Sequence, residues 1–410
     1  MRKFERVLVT GYGQVSSLGA SWSEFDSALL HAQSGAVASP IDLEGIDKVD
    51  VPLCPSSFDV RGRVSPSKVP MDRGTAMALK AGQDAIEHAQ INLEGIDTYR
   101  LGIFWGSGMA GAANFDLSAK SVYADHKRIR PTNVVTTMPN APAAELSLLT
   151  QAHGPSITYA CACASSAVAI GEALLALRMG RIDVAIVGGS ESMLTPCVVA
   201  GWQALQVLAS LEKFDAAASC RPFDLNRTGF ALGEGAAAFV IETEAHAKKR
   251  GAQVQAELSG YGTNCDGNHM TNPHWQGQVR AMQQALHDAG LTAQDIGYVN
   301  THGTATKAGD LAESKSLSEL FGAKNVPVSS TKGLHGHLLG AGGAMELLIS
   351  IRALQTGWMP SSANCDDLDP EVTLDVIQGS SRRHPNLRHV MSNSFAFGGT
   401  NAVLIASAAS

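Results

Sequence analysis

What most restricts the fold of this sequence is its alternation of short β-branched runs with long apolar stretches of helical spacing. Arg6 to Thr10 reads as a strand that ends in a turn at Gly11-Tyr12-Gly13. Met71 to Ile91 spaces its apolar residues as a helix does. Leu101 to Trp105 is a second strand, closed by Gly106-Ser107-Gly108. Ser156 to Cys161 is another, and the helix that follows, Ser165 to Gly180, is apolar nearly all round, which predicts burial. Strands are read over Asp183 to Gly189, Ala236 to Ile241 and Val254 to Leu258. The pattern then begins again: helix Trp275 to Ala289, strand Ile296 to Asn300, helix Asp310 to Phe321, strand Val326 to Ser329, helix Gly340 to Gln355, and a last strand at Arg388 to Met391. No low-complexity linker interrupts the two sets. The reading is an α/β protein of two similar halves, residues 1–250 and 251–410, packed as one body.

Composition removes several alternatives. With 410 residues, 45% of them hydrophobic, the chain has enough apolar surface to offset its ordering entropy, so disorder is excluded. A net charge of −7 gives no basic excess for nucleic acid. The 7 cysteines are odd in number, form no CxxC pair, and include Cys161-Ala162-Cys163, which is not zinc spacing. Reduced thiols in a cytoplasmic protein are the expectation. The start, Met1 to Gly11, lacks the apolar core of a signal peptide, and no run reaches the ~18 apolar residues of a membrane span.

Four segments carry candidate chemistry. Cys163 lies in Tyr159-Ala160-Cys161-Ala162-Cys163-Ala164-Ser165-Ser166, where a strand turns into a buried helix. The helix N-terminus favours thiolate, and neighbouring N–H groups suit an oxyanion. Alone, such a cysteine is more often an inert buried one. His302 sits in Asn300-Thr301-His302-Gly303-Thr304-Ala305-Thr306 at a strand's carboxyl end, where open sheets place ligands. His335 and His337 flank Gly336 before a Gly/Ala-rich helix, and Lys332 just ahead needs a carboxylate partner in that apolar setting, with Glu313 and Asp310 as candidates. Asn393 to Asn401, with Phe395, Phe397, Gly398 and Gly399, reads as a mobile loop bearing an apolar plug. Each segment taken singly has an ordinary structural explanation.

Together, Cys163, His302, Lys332, His337 and Phe397, in this order and with these neighbours, closely resemble the elongating β-ketoacyl-[acyl-carrier-protein] synthases over nearly the whole chain. Supporting segments are Arg221-Pro222-Phe223-Asp224, Gly229 to Gly235 and His269-Met270-Thr271-Asn272-Pro273. The resemblance implies a thiolase-like fold, a duplicated five-layer α/β/α/β/α arrangement, usually as a homodimer, with a heterologous partner subunit as the alternative. It implies a decarboxylative Claisen condensation in which Cys163 is acylated from an acyl carrier protein and a malonyl carrier protein is the second substrate. His302 and His337 would serve the enolate, and the N–H groups of Cys163 and Phe397 the oxyanion. Lys332 would pair with Glu313. Thr304 and Thr306 match positions that hold the phosphopantetheine arm, Phe397 matches a gating aromatic, and Thr271, Trp202 and Met109 match substrate-pocket positions. No redox cofactor and no catalytic metal are implied. Relatives hold a structural monovalent cation near positions matching Asn300, Glu346, Ser392 and Asn393.

The departures concern substrate and pathway. Ala396 replaces a Gly in the gate loop, Lys307 stands where Pro is common, and Gln206 where a carrier-docking Arg is frequent. Arg61, Arg63, Lys68, Lys127, Arg128 and Arg130 are the remaining basic groups for an acidic carrier. Fatty-acid elongation is the main reading, and a ketosynthase of a polyketide or aryl-polyene pathway is the alternative. A thiolase would carry a second Cys in the late Gly-rich loop, a starter-type synthase an Asn in place of His337, and a chain-length factor would lack the nucleophile.

Overall fold

Gly11 and Gly13 do not turn the chain. In the computed structural model, which describes residues 5–41, 49–61 and 63–409, both lie inside one continuous strand, β1 (Val7–Val15), whose register shifts between Val9 and Gly11. Their lack of a side chain serves packing instead. A Cβ on Gly11 would sit 2.3 Å from the carbonyl oxygen of Ala85, and one on Gly13 would sit 2.2 Å from that of Ala81. Both oxygens belong to helix α1 (Arg73–Ala89), which lies directly on the strand. The N-terminal residues 1–4 are outside the described residues.

Ten further strands continue the sheet: β2 (Leu101–Gly106), β3 (Ser156–Tyr159), β4 (Val184–Glu191), β5 (Gly235–Thr243), β6 (Ala256–Cys265), β7 (Tyr298–Asn300), β8 (Pro327–Ser329), β9 (Asp375–Val376), β10 (His389–Phe395) and β11 (Thr400–Ser407). Their spatial order is β9-β8-β7-β10-β11-β6-β1-β5-β4-β2-β3. The arrangement is a repeat. In the first set β2 runs parallel to β3 and β4, and β5 runs antiparallel to β4 and β1. In the second set β7 runs parallel to β8 and β10, and β11 runs antiparallel to β10 and β6. The two sets meet where Leu8 and Val9 pair with Glu257 and Ala256.

Apart from the edge strand β3, the strands are largely buried on both faces, and their side chains alternate between two cores. Along β5, Ala236, Ala238 and Val240 face the core beneath α1, whereas Ala237, Phe239 and Ile241 face a central core. Along β11, Ala402, Leu404 and Ala406 join the same central core, and Val403 and Ile405 face a third one. The central core is filled by helix α2 (Ser165–Arg178) and helix α6 (Gly342–Thr356), both buried almost all round as the apolar pattern of α2 required. Helix α4 (Trp275–Ala289) covers the outer face of the second set as α1 covers the first. Helices α3 (Pro196–Ala204) and α5 (Lys307–Phe321) flank the site described below.

The last strand is not the one ending at Met391. β10 continues to Phe395, a short turn follows, and β11 pairs back on it from Phe395↔Asn401 to His389↔Ser407. The expected apolar loop is therefore only the tip of a hairpin, at Ala396 to Gly399, with Gly398 and Gly399 in the left-handed region at φ +85° and +84°.

Candidate active site

Cys163 stands between β3 and α2. Ala162 before it takes a left-handed φ of +47°, uncommon for a residue with a Cβ. The turn is closed by Ser165, whose hydroxyl donates to the Ala162 carbonyl (2.7 Å) and accepts from the Cys161 N–H (2.8 Å). The turn aims the Cys163 thiol into the core side of the helix N-terminus, where it is buried.

His302 follows β7, on a loop fixed by α5. Glu313 accepts from the N–H groups of His302 (2.9 Å) and Gly303 (2.7 Å), and Asp310 accepts from that of Ala305 (3.1 Å). His337 follows a short turn of helix, Lys332–His335, and its Nε2 lies 3.1 Å from Cys163 Sγ. The two imidazoles meet edge to face, with ring centres 5.4 Å apart.

The hydrogen bonds fix the tautomers. Leu339 N–H donates to His337 Nδ1 (3.3 Å), so the proton of the neutral ring is on Nε2, facing the sulfur. Lys332 Nζ, which can only donate, lies 3.4 Å from His302 Nδ1 and also donates to the His302 carbonyl, so this ring too carries its proton on Nε2. Burial, reinforced by the Lys332 charge, holds both imidazoles well below their usual range and therefore neutral. Burial pushes the Cys163 thiol up to about 12, against the opposite pull of the Lys332 charge and of the Phe397 and Cys163 N–H groups. Desolvation thus works against the thiolate that the helix N-terminus favours.

Lys332 corrects a second expectation. Its ion pair is with Glu346 of α6, and both side chains are 1% exposed. Glu313 is occupied by the two N–H groups above and by Asn393 Nδ2 (3.2 Å), and Asp310 by Arg227 (3.3 Å). Lys332 therefore sits between α6 and the His302 loop.

A cavity of about 240 Å³ opens onto Cys163, His302 and His337. Thr304, Thr306, Thr271, Trp202 and Phe397 line it, with the hydroxyls of Thr304 and Thr306 2.9 Å apart. Trp202 lies nearly parallel to Phe397, ring centres 6.3 Å apart, and edge-on to Phe230 at 5.8 Å. Met109 is not part of this wall; it is 40% exposed, and its N–H donates to Glu191.

In sequence and in three dimensions the chain matches one family. Residues 4–247 match the β-ketoacyl synthase N-terminal domain and residues 255–366 the C-terminal domain. The chain belongs to the β-ketoacyl synthase family. It is 34% identical to 3-oxoacyl-[acyl-carrier-protein] synthase 2 of Staphylococcus aureus (strain N315), over 99% of each chain. A β-ketoacyl synthase from Burkholderia phymatum superposes with a TM-score of 0.87 at 34% identity, covering 99% of this chain and 100% of that one. A ketosynthase of a type II polyketide synthase, solved with its acyl-carrier protein, gives 0.91 at 25% identity over 99% and 100%. The synthase has the thiolase-like fold of these relatives, and it is an acyltransferase by family.

The same synthase site tests two ion requirements. Cys163, His302 and His337 bring their sulfur and ring nitrogens within 4.8 Å of one another, close enough for a metal. The Nε2 protons just assigned face that space, and they suit hydrogen-bond donation, not ligation. The expected monovalent cation finds better chemistry. Asn300 and Asn393 bury side-chain oxygens that lack hydrogen-bond partners, and Asn300 and Ser392 are direct neighbours across β7 and β10. Asn300, Ser392 and Asn393 would hold such an ion, while Glu346 is already engaged by Lys332.

Sequence reasoning missed Phe230, which packs edge-on against the His337 ring at 4.9 Å, and Phe395, 6.2 Å from that of His302. Both lie in segments singled out above, but nothing in their spacing shows which side chain faces inward. Among the basic groups, Arg61 and Lys127 are paired with Asp59 and Asp125 on the surface. No helix among the described residues is long and apolar enough to cross a membrane.

Proposed function

We propose that this synthase condenses an acyl group held on Cys163 with malonyl carrier protein. The observation that carries the proposal is the pair of imidazoles that line the cavity beside Cys163, each with Nδ1 engaged elsewhere and one with Nε2 3.1 Å from the Cys163 sulfur. In the first half-reaction the thiol attacks the thioester of an acyl carrier protein. Its proton leaves with the carrier's pantetheine thiol, and the acyl group stays on sulfur. The N–H groups of Cys163 and Phe397, which reach that sulfur, hold the oxyanion.

Malonyl carrier protein then loses carbon dioxide. The enolate oxygen accepts from Nε2–H of His302 and His337, which are neutral and so donate without first having to lose charge. The enolate carbon attacks the Cys163 thioester, the sulfur leaves and takes up a proton, and a 3-oxoacyl carrier protein departs. Thr304 and Thr306 hold the pantetheine arm, and Lys332 and Glu313 fix the His302 loop.

The partner is an acyl carrier protein, as in the type II ketosynthase complex that this chain resembles. A homodimer forms through β3, an edge strand whose Ile157 is 39% exposed. A cytoplasmic location accords with seven free cysteines. The test is intact-mass spectrometry of the protein incubated with a panel of acyl carrier proteins. An acyl adduct that survives Cys161→Ala and disappears in Cys163→Ala supports the assignment. Retention in Cys163→Ala, or no adduct with any acyl group, refutes it.

A further inference from the structure

Glu191 ends β4 and is 0% exposed. Its carboxylate accepts from four neutral donors: the Ser107 hydroxyl (3.2 Å) and the N–H groups of Gly108 (2.6 Å), Met109 (3.0 Å) and Gly340 (3.1 Å). Burying a carboxylate is costly even when it is hydrogen-bonded, and burial raises this one to about 7 against the pull of those donors. A group held at such a cost, with no cation among its partners in the described residues, calls for an explanation in what it fixes.

It fixes the turn after His337. Leu339 there has a left-handed φ of +43°, an outlier for so large a side chain. Two successive N–H groups of that turn point apart, Leu339's to His337 Nδ1 and Gly340's to Glu191. Position 340 admits only glycine, since a Cβ would lie 2.1 Å from the Gly108 nitrogen and 2.6 Å from the Glu191 carboxylate. One carboxylate thus joins the Ser107–Met109 loop of the first strand set to the histidine turn of the second.

We propose that Glu191 is a positioning residue: by anchoring the Gly340 N–H it holds the strained turn at Leu339, and so keeps the His337 proton on Nε2, facing Cys163. The proposal rests on the donor role given to His337 above.

The test uses full-length protein with ¹⁵N-labelled histidine, the His337 signals being assigned by difference from His337→Asn. Glu191→Gln keeps the shape but sets an NH₂ group against backbone N–H donors. The expected result is a mixture of Nδ1–H and Nε2–H forms at His337 in substrate-free enzyme. Turnover should fall by about 100-fold, the scale of a misplaced reacting group. KM should stay within about twofold, as for an interaction made only in the transition state. If Glu191→Gln does not fold, Glu191→Asp, too short to reach Gly340, is read in the same way. An unchanged Nε2–H signal overturns the proposal, as does a changed one with full turnover. The nitrogen spectrum needs no substrate, and acylation of wild-type Cys163 is measured separately, so failure here is distinguishable from failure of the condensing reaction.

Discussion

Lys332 and Glu346, fourteen residues apart, form an ion pair from which water is excluded, and the same ammonium donates to the His302 carbonyl. The charge of Lys332 is therefore shared between α6 and the active-site loop. Removing either partner leaves an uncompensated buried charge, which costs about 3–5 kcal/mol. Lys332→Met and Glu346→Leu are each expected to lose that much in urea unfolding, and the double variant less than the sum. Strict additivity would show that the pair is not coupled.

On the proposed mechanism, His302→Ala and His337→Ala each remove one enolate donor. Carbon dioxide release from malonyl carrier protein should fall ~100- to 1,000-fold in each, with Cys163 acylation affected less. Equal losses in both half-reactions would mean that the rings serve the nucleophile instead.

His335 touches no substrate-facing surface. Its ring contacts the Thr331 hydroxyl (3.0 Å) and the Gly336 carbonyl (2.7 Å), and burial lowers it to about 3. In the unfolded chain it takes up a proton below its ordinary 6.5, so between pH 6.5 and 3 the unfolded state binds more protons and wild-type stability drops as pH falls. His335→Gln removes that contribution. Its unfolding free energy should decline by about 1.4 kcal/mol less per pH unit in this window than that of wild type. Parallel pH dependences in urea titrations would contradict the assignment.

Trp202 stands in the cavity wall between Phe397 and Phe230. Trp202→Ala should shift acyl preference toward longer chains, read by competition among acyl carrier proteins of graded length. An unchanged preference would place the chain-length limit elsewhere.

Gly11→Ala puts a methyl group 2.3 Å from the Ala85 carbonyl oxygen and 2.5 Å from the Ala89 nitrogen. Backbone on both sides must give way, at the about 1–3 kcal/mol typical of overpacking or more. A urea midpoint equal to wild type would show that α1 can move off β1.

Much of this was legible before folding. The spacing of apolar residues gave helix Trp275–Ala289 to the residue and the buried character of α2, because periodicity is a local property that burial on two faces only reinforces. The placement of Cys163 where a strand turns into a buried helix was equally visible. Gly11-Tyr12-Gly13 misled, because a glycine required by close approach of a helix looks in sequence like one required by a turn. β11 was missed because Ala, Val, Leu and Ile run on there without the alternation that marks a strand with one wet face.

The alternating α/β order and the candidate reactive side chains, several of them beside strand ends, were legible in the chain alone. Which partner each of them takes is decided by packing. Lys332 had carboxylates on both sides of it in the chain, and Glu313 and Asp310 were taken, by the N–H groups of His302 and Gly303 and by Arg227. Glu346 reached Lys332 because α6 packs in the central core beneath it. Partner choice and tautomer are set by contacts of a few ångströms that packing creates, and no local pattern encodes such distances.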